Sequence, residues 1–214
     1  MGERAILAAD GRRLRLRAWR FVLMLIFLSA AIGGGLLWAF IANASPYHFA
    51  IVQPGKLYRS GFHSVQDLRA DYGKAKIRTI ISLLAGDEIS SDSTHDEEGF
   101  CRAHGIHLIR IPIEVGGWPS DEQLREFLEN VQNPDNQPVL VHCVQGVRRT
   151  GMLIAAYQRS VLRMDDESVR RTLLTFGHSG RAVGDLQNFI AHYDPATETF
   201  AVPTTTTKVA YQPE

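Results

Sequence analysis

Val139-Leu140-Val141-His142-Cys143-Val144-Gln145-Gly146-Val147-Arg148-Arg149-Thr150-Gly151 is the stretch on which the reading of this chain turns. Its first part is short, apolar and β-branched, the pattern of a buried strand, and its last part opens into the helical spacing of residues 149–162. A strand that delivers Cys143 to a loop leading directly into a helix lets several backbone N–H groups converge on one point, with the positive end of the helix dipole behind them. That is an anion site, and the same field favours a thiolate over a thiol. Arg149 follows Cys143 by six positions, far enough for the loop to fold back so that the planar guanidinium grips two phosphate oxygens. Gly146 permits the positive φ and close approach that a ring of inward N–H groups demands. Val144, Gln145, Gly146 and Val147 are expected around the bound phosphate. Arg148 reads either as a contact to a second acidic group or as a solvated arginine at a helix start. Thr150 is placed to give its hydroxyl to the cysteine sulfur and help it leave when a phosphocysteine is hydrolysed.

Outward from this stretch, strand and helix patterns alternate. Residues 77–84 and 106–113 are short apolar runs that read as buried strands. Between them lie a loop over 85–93 and a helix from Thr94 to His104, with Thr94-x-x-Glu97 at capping-box spacing. An earlier helix starts at Ser64 and stops at Gly73. A helix over 120–131 opens with a Ser120-x-x-Gln123 box, and further helices are expected from Asp165 or Asp166 to Thr175 and from Asp185 to Tyr193. Gln53-Pro54-Gly55-Lys56 is a turn leading into Leu57-Tyr58-Arg59-Ser60. The order predicts an α/β domain with a mainly parallel central sheet flanked by helices and a ligand site at the carboxyl ends of its strands. The folded domain is expected over 53–195, followed by a disordered tail over 196–214.

The amino end has a different character. Arg4, Arg12, Arg13, Arg15, Arg17 and Arg20 crowd the first twenty residues, and no carboxylate occurs between Asp10 and Asp67. Residues 21–42 carry no charge, and about 20 such residues span a hydrocarbon core roughly 30 Å thick. The expectation is one transmembrane helix over 21–42 after a basic segment over 1–20, with a linker over 43–52. Arginines on the amino side would keep the N-terminus cytoplasmic and place the catalytic domain on the opposite, periplasmic or extracytoplasmic side. A cleaved signal peptide ending near Ala42-Asn43-Ala44 is the competing reading, against which stands an apolar run longer than the usual 7–15 residues. Lys plus Arg and Asp plus Glu each number 23 in the 214 residues, so nothing in the charge points to a nucleic-acid partner.

His142-Cys143, Arg149 and Thr150 match His-Cys-x5-Arg-Ser/Thr, and the stretch resembles the signature of the protein tyrosine and dual-specificity phosphatases. Residues 51–60, 77–84 and 138–151 resemble the opening, central strand and catalytic loop of the small dual-specificity branch, so that the resemblance covers roughly 50–193. It implies Cys143 as nucleophile, Arg149 as phosphate ligand, Thr150 as assistant and a structural role for His142, with no metal or cofactor. Related enzymes protonate the leaving oxygen with an Asp on a loop that corresponds here to Glu114–Asp121. A Trp-Pro-Asp register on Trp118-Pro119 puts Ser120 in that position, and the dual-specificity register puts Val115 there. Asp121 and Glu114 flank the point, with Asp121 slightly ahead. An Asp in the first turn of a helix also stabilises the helix dipole without doing chemistry.

The function expected is hydrolysis of phosphate monoesters on a phosphorylated protein. A phosphorylated lipid is the alternative substrate, and a phosphate-binding pseudophosphatase the alternative class. His95, His104, His107 and His178 show no metal-like spacing. Cys101 reads as a small buried residue on a helix; a disulfide with Cys143 and the oligomeric state stay open. Arg59 is read as a structural ion-pair former.

Overall fold

Residues 48–62, 64–90, 92–173 and 180–202 are described by the computed structural model, together with Trp19, Leu23, Met24, Ile26, Phe27, Ser29, Gly33 and Gly34. The chain divides into two units, Met1–Ala44 and Ser45–Glu214. Within the second, five strands form one sheet: β1 (Ala50–Gln53), β2 (Leu57–Gly61), β3 (Thr79–Ser82), β4 (His107–Arg110) and β5 (Val139–Cys143). Their order is β1-β2-β5-β3-β4, so the strand that ends on Cys143 lies in the centre. It runs parallel to both neighbours, with Tyr58 and Ile80 opposite Leu140 and Ser60 and Ser82 opposite His142. Only β1 is antiparallel.

The period of two along β5 sorts the core into two layers. Val139, Val141 and Cys143 pack with Leu57, Ile81, Phe127, Leu153 and Phe189. Leu140 packs on the other face with Tyr58, Ile80, Leu68, Phe100 and Cys101. The helices α1 (Val65–Ala75) and α2 (Asp92–His104) therefore cover one face. The opposite face is covered by α3 (Asp121–Gln132), α4 (Arg148–Ser160), α5 (Asp166–Leu173) and α6 (Gly180–His192). Each fully buried Val, Leu or Ile contributes roughly 1.5–3 kcal/mol to this assembly.

The α/β sheet flanked by helices is as the alternation of patterns predicts, and the local differences have identifiable causes. Gly73 does not end α1; the helix runs to Ala75, and Lys76 closes it in the left-handed conformation, its N–H donating to the Tyr72 carbonyl. The helix expected at Thr94 begins at Asp92, and Thr94-x-x-Glu97 is not a capping box. Both side chains are fully buried, the Thr94 hydroxyl donating to the Glu88 carbonyl at 2.7 Å and Glu97 reaching His142. Ser120 and Gln123 do form the expected reciprocal cap on α3. The turn at Gln53–Lys56 joins two strands that the sequence pattern conceals, because all five residues of β2 are buried, Arg59 among them. The chain beyond Pro195 is not wholly without structure: β7 (Thr199–Phe200) pairs with β6 (Tyr193–Asp194), and Phe200 packs on Trp118 and Phe189.

The expected membrane placement is corrected. Among the described residues no helix is long and apolar enough to cross a membrane, since a helical span takes about 20 consecutive, mostly apolar residues. Most of the expected span over 21–42 lies outside the described residues, as do 203–214 of the expected tail.

Candidate active site

At the carboxyl end of β5 the chain turns through 144–147 into α4, and Cys143 is only 3% exposed at the floor of this turn. The Gly146 N–H donates to Cys143 Sγ at 3.2 Å, so a main-chain donor of the loop already points at the sulfur. Gly146 has φ +68°, and a Cβ there would run into the Ser60 carbonyl and the Gly61 nitrogen. Glycine is required on both counts. Gly146→Ala is expected to destabilise the fold by about 3 kcal/mol, through left-handed strain together with overpacking, and to cost about 10²-fold in turnover by displacing the loop. Thermal melts and initial rates check the two parts separately.

The loop is braced from behind by β2. The Phe62 N–H is shared between the carbonyls of Cys143 and Val144, at 3.1 and 2.9 Å. Arg59 Nη2 donates to the Gly146 carbonyl at 2.6 Å, which is how a buried arginine belongs in a central strand; burial lowers its pKa to about 10, with the nearby Cys143 opposing. At the outer edge His48 Nδ1 lies 2.6 Å from the Gln145 carbonyl. Among the four residues expected around the phosphate, Gln145 is exposed and Val144 half-buried. Val147 is buried at the N-cap of α4.

Arg149 is placed by three elements. Its Nη1 donates to the carbonyls of Leu83 and Ile113, each at 3.1 Å, and to Glu88 Oε2 at 2.6 Å, while Nη2 donates to Glu88 Oε1 at 2.7 Å. Burial opposes the charge on Arg149, yet the bonds to Glu88 and the proximity of Cys143 raise its pKa overall. Glu88 answers in the opposite direction: burial would raise its pKa, but the hydrogen bonds from Arg149 and the Ala85 N–H hold it below the ordinary value. The stabilisation in this pair is thus complete above the unfolded carboxyl range and is lost as pH falls from there through the lower folded value of Glu88. Glu88 went unnoticed in the sequence because it sits in a polar loop, 61 residues from its partner. Thr150 Oγ1 is buried without a hydrogen-bond partner, in the turn of α4 that follows the loop.

Arg148 is half-buried and held by partners within the protein. Its Nε donates to Asp185 at 2.5 Å, Nη1 and Nη2 to the carbonyls of Gly117 and Gly116 at 2.5 and 3.2 Å, and its guanidinium lies 5.0 Å over the Trp118 ring. It clamps the loop that carries both candidate acids. Asp121 has a partner of its own, Oδ1 accepting from the Phe200 N–H at 2.9 Å. Glu114 follows Ile113, whose carbonyl holds Arg149, and its Oε2 lies 3.7 Å from the point a Cβ on Gly86 would occupy. Cys101 and Cys143 are both free, and they pack in the two different core layers. Burial pushes the Cys101 thiol up to about 12. Among the described residues no cluster of His, Cys, Asp and Glu has the arrangement to hold a metal.

A buried sulfur under a main-chain donor at a strand–loop–helix junction, with a positioned arginine beside it, has the make-up of an anion-binding site. The family model described as DSP-PTPase phosphatase fused to NAD+ kinase matches residues 56–188. The chain belongs to this family. As a DSP-PTPase member it bears out the resemblance carried by His142-Cys143, Arg149 and Thr150. It is 31% identical over 118 residues to inositol diphosphatase DSP1 of Oryza sativa subsp. japonica, covering 53% of this chain and 50% of that protein. It is 29% identical over 109 residues to inositol diphosphatase SIW14 of Saccharomyces cerevisiae, covering 49% and 37%. The chain thus spans half or less of the length of these two relatives. The core catalytic domain of the PP-IP phosphatase SIW14 from S. cerevisiae, solved with citrate, superposes with TM-score 0.61 at 27% identity, over 70% of this chain and 86% of that one.

Proposed function

We propose that this DSP-PTPase member is a cysteine-dependent phosphatase working through a phosphocysteine, with a phosphorylated inositol as substrate class. The convergence of the Gly146 N–H and the Arg149 guanidinium on Cys143 carries the reading. The thiolate attacks phosphorus, the bond from phosphorus to the leaving oxygen breaks, and that oxygen takes a proton from an acid. Water then attacks the phosphocysteine, the S–P bond breaks, and Thr150 gives its hydroxyl hydrogen bond to the departing sulfur. Arg149 and the loop N–H groups stabilise the charge on the transferred phosphoryl group in both steps. We assign the acid to Glu114, because it adjoins the residue whose carbonyl holds Arg149, whereas Asp121 is engaged by Phe200.

The inositol reading rests on the relatives named inositol diphosphatases. One observation favours a second reading, a phosphorylated protein. The loop from Val144 to Val147 holds no cation, and Arg148 is occupied by Asp185 and two carbonyls, so a ligand with several phosphates finds few positive partners here. A phosphotyrosyl peptide asks for only one anion site.

The test is initial rates of the full chain on an inositol diphosphate, a phosphotyrosyl peptide, a phosphoinositide in vesicles and an aryl phosphate, with and without chelator. Preferred turnover of the inositol diphosphate, unaffected by chelator, supports the first reading; preference for the peptide replaces it with the second. Tight binding of phosphate analogues with no turnover would mark a pseudophosphatase and sink both. In the same assay Glu114→Gln is expected to slow phenyl phosphate about 10²-fold, within the range for losing a general acid, and Asp121→Asn to leave the rate nearly unchanged. The reverse order would return the role to Asp121.

A further inference from the structure

Behind the catalytic loop, on the face away from Cys143, lies a buried polar layer that the mechanism leaves unused. Ser60 on β2, His142 on β5 and Ser82 on β3 stand side by side across the three central strands, each at most 1% exposed. Two carboxylates meet this row from the covering helices. Glu97 on α2, fully buried, lies with Oε1 2.7 Å from His142 Nε2. Asp71 on α1, 1% exposed, is hydrogen-bonded by Ser60. Four atoms of the layer, Asp71 Oδ1, Ser82 Oγ, Glu97 Oε2 and His142 Nδ1, are buried without a hydrogen-bond partner. A layer serving stability alone would be expected to satisfy these atoms or to be apolar, since leaving a buried polar group unpaired costs about 1–3 kcal/mol.

The layer has two direct connections to the nucleophile. His142 is bonded covalently to Cys143, and its ring packs 5.1 Å from that of Phe62, whose N–H holds the Cys143 and Val144 carbonyls. Ser60 is the residue against which Gly146 is pressed, and Gly146 gives its N–H to the sulfur. We propose that Glu97 and Asp71 are positioning residues of the phosphatase, acting through His142 and Ser60 on the two strand ends that hold the Cys143 loop, and that the protonation of Asp71 sets the loop geometry. This inference rests on the phosphatase reading for its activity measurements but not for its chemical ones.

The protonation that matters lies near neutrality. Burial raises the Asp71 carboxyl to about 7, with the Ser60 hydrogen bond, His142 and Lys74 pulling it down and Asp67 pushing it up. On the same face the Cys101 thiol of α2 lies in the field of Glu97 and Glu98 on α2 and of Arg110 on β4. A carboxyl whose folded pKa lies above its unfolded value binds its proton more tightly in the folded state. Its stabilising effect is complete below the unfolded pKa and is lost as pH rises toward 7. Asp71→Asn, which keeps the shape and removes the ionisation, is therefore expected to raise the melting temperature more at pH 8 than at pH 5.

The decisive experiment follows two pH profiles from 5 to 9 in the full chain: kcat and KM on an aryl phosphate, and the alkylation rate of Cys143 by iodoacetamide, with Cys143→Ser as blank. In Asp71→Asn the step near pH 7 is expected to vanish from both. In Glu97→Gln kcat is expected to fall about tenfold at constant KM, below the roughly 10²-fold ceiling for a displaced catalytic group, with the alkylation profile displaced. Melting changes with both profiles unmoved would mean the layer is only structural and overturn the inference, as would no change at all. Should Glu97→Gln not fold, Ser60→Ala, which removes the hydroxyl that bonds Asp71, is held to the same criterion. A wild-type chain without turnover defeats the phosphatase reading, and the alkylation profiles then still decide this one.

Discussion

Cys143→Ser is expected to lower turnover on the order of 10⁵-fold or more, the scale seen when the nucleophile of a covalent mechanism is removed, while phosphate analogues still bind. The reason is specific to this loop. The Gly146 N–H that meets the sulfur and the Arg149 side chain that turns toward it both survive the change, so the anion cradle remains. What is lost is an atom that ionises readily and bonds to phosphorus; a serine hydroxyl without an adjacent base does neither at neutral pH. Acid-quenched wild type should yield a phosphorylated peptide containing Cys143, and the variant none. Residual turnover above about 1% of wild type would rule out the phosphocysteine route.

Arg149→Lys is expected to cost about 10²–10³-fold in kcat/KM, the range for removing one preorganised electrostatic contact to a transition state, although the charge is kept. Four of the hydrogen bonds that Arg149 makes go to the protein itself: two to the Glu88 carboxylate and one each to the carbonyls of Leu83 and Ile113. A guanidinium can satisfy these and still present another edge to a phosphate. An ammonium has three donors and no plane, so it must abandon either the frame or the ligand. Losing the frame contacts removes the two guanidinium hydrogen bonds from Glu88, and the melting temperature should drop along with the rate. A lysine variant within a few-fold of wild type would show that Arg149 acts only as a point charge.

The sequence disclosed those parts of the molecule whose physics is local. The strand of Val139–Val141, the glycine turn and the helix after it carry their pattern within thirteen residues, and the anion site is a property of that junction alone. The reciprocal Ser120–Gln123 cap is equally local and was legible. Arg59, Glu88, Glu97 and Arg148 were not, since each finds its partner 31 to 87 residues away. Thr94 and Glu97 show how such misreading happens: a spacing suited to a helix cap was used for contacts with Glu88 and His142 that only the folded chain brings near. Strand β2 was hidden for the converse reason, its polar Arg59 and Ser60 being buried on partners the linear pattern cannot supply.

Phe200 gives the site a dependence on the order of synthesis. It packs at a tilt on Trp118, gives its N–H to Asp121 and closes the short β6–β7 ribbon, while Trp118 lies under the Arg148 that clamps the acid loop. A nascent chain acquires its residues from the amino end, so the nucleophile, the guanidinium and both candidate acids are all made before the residue that fixes their loop. A nascent chain that stops before position 200 therefore carries the cysteine, the guanidinium and both candidate acids, with the Arg148 clamp but without the contacts that Phe200 gives Trp118 and Asp121.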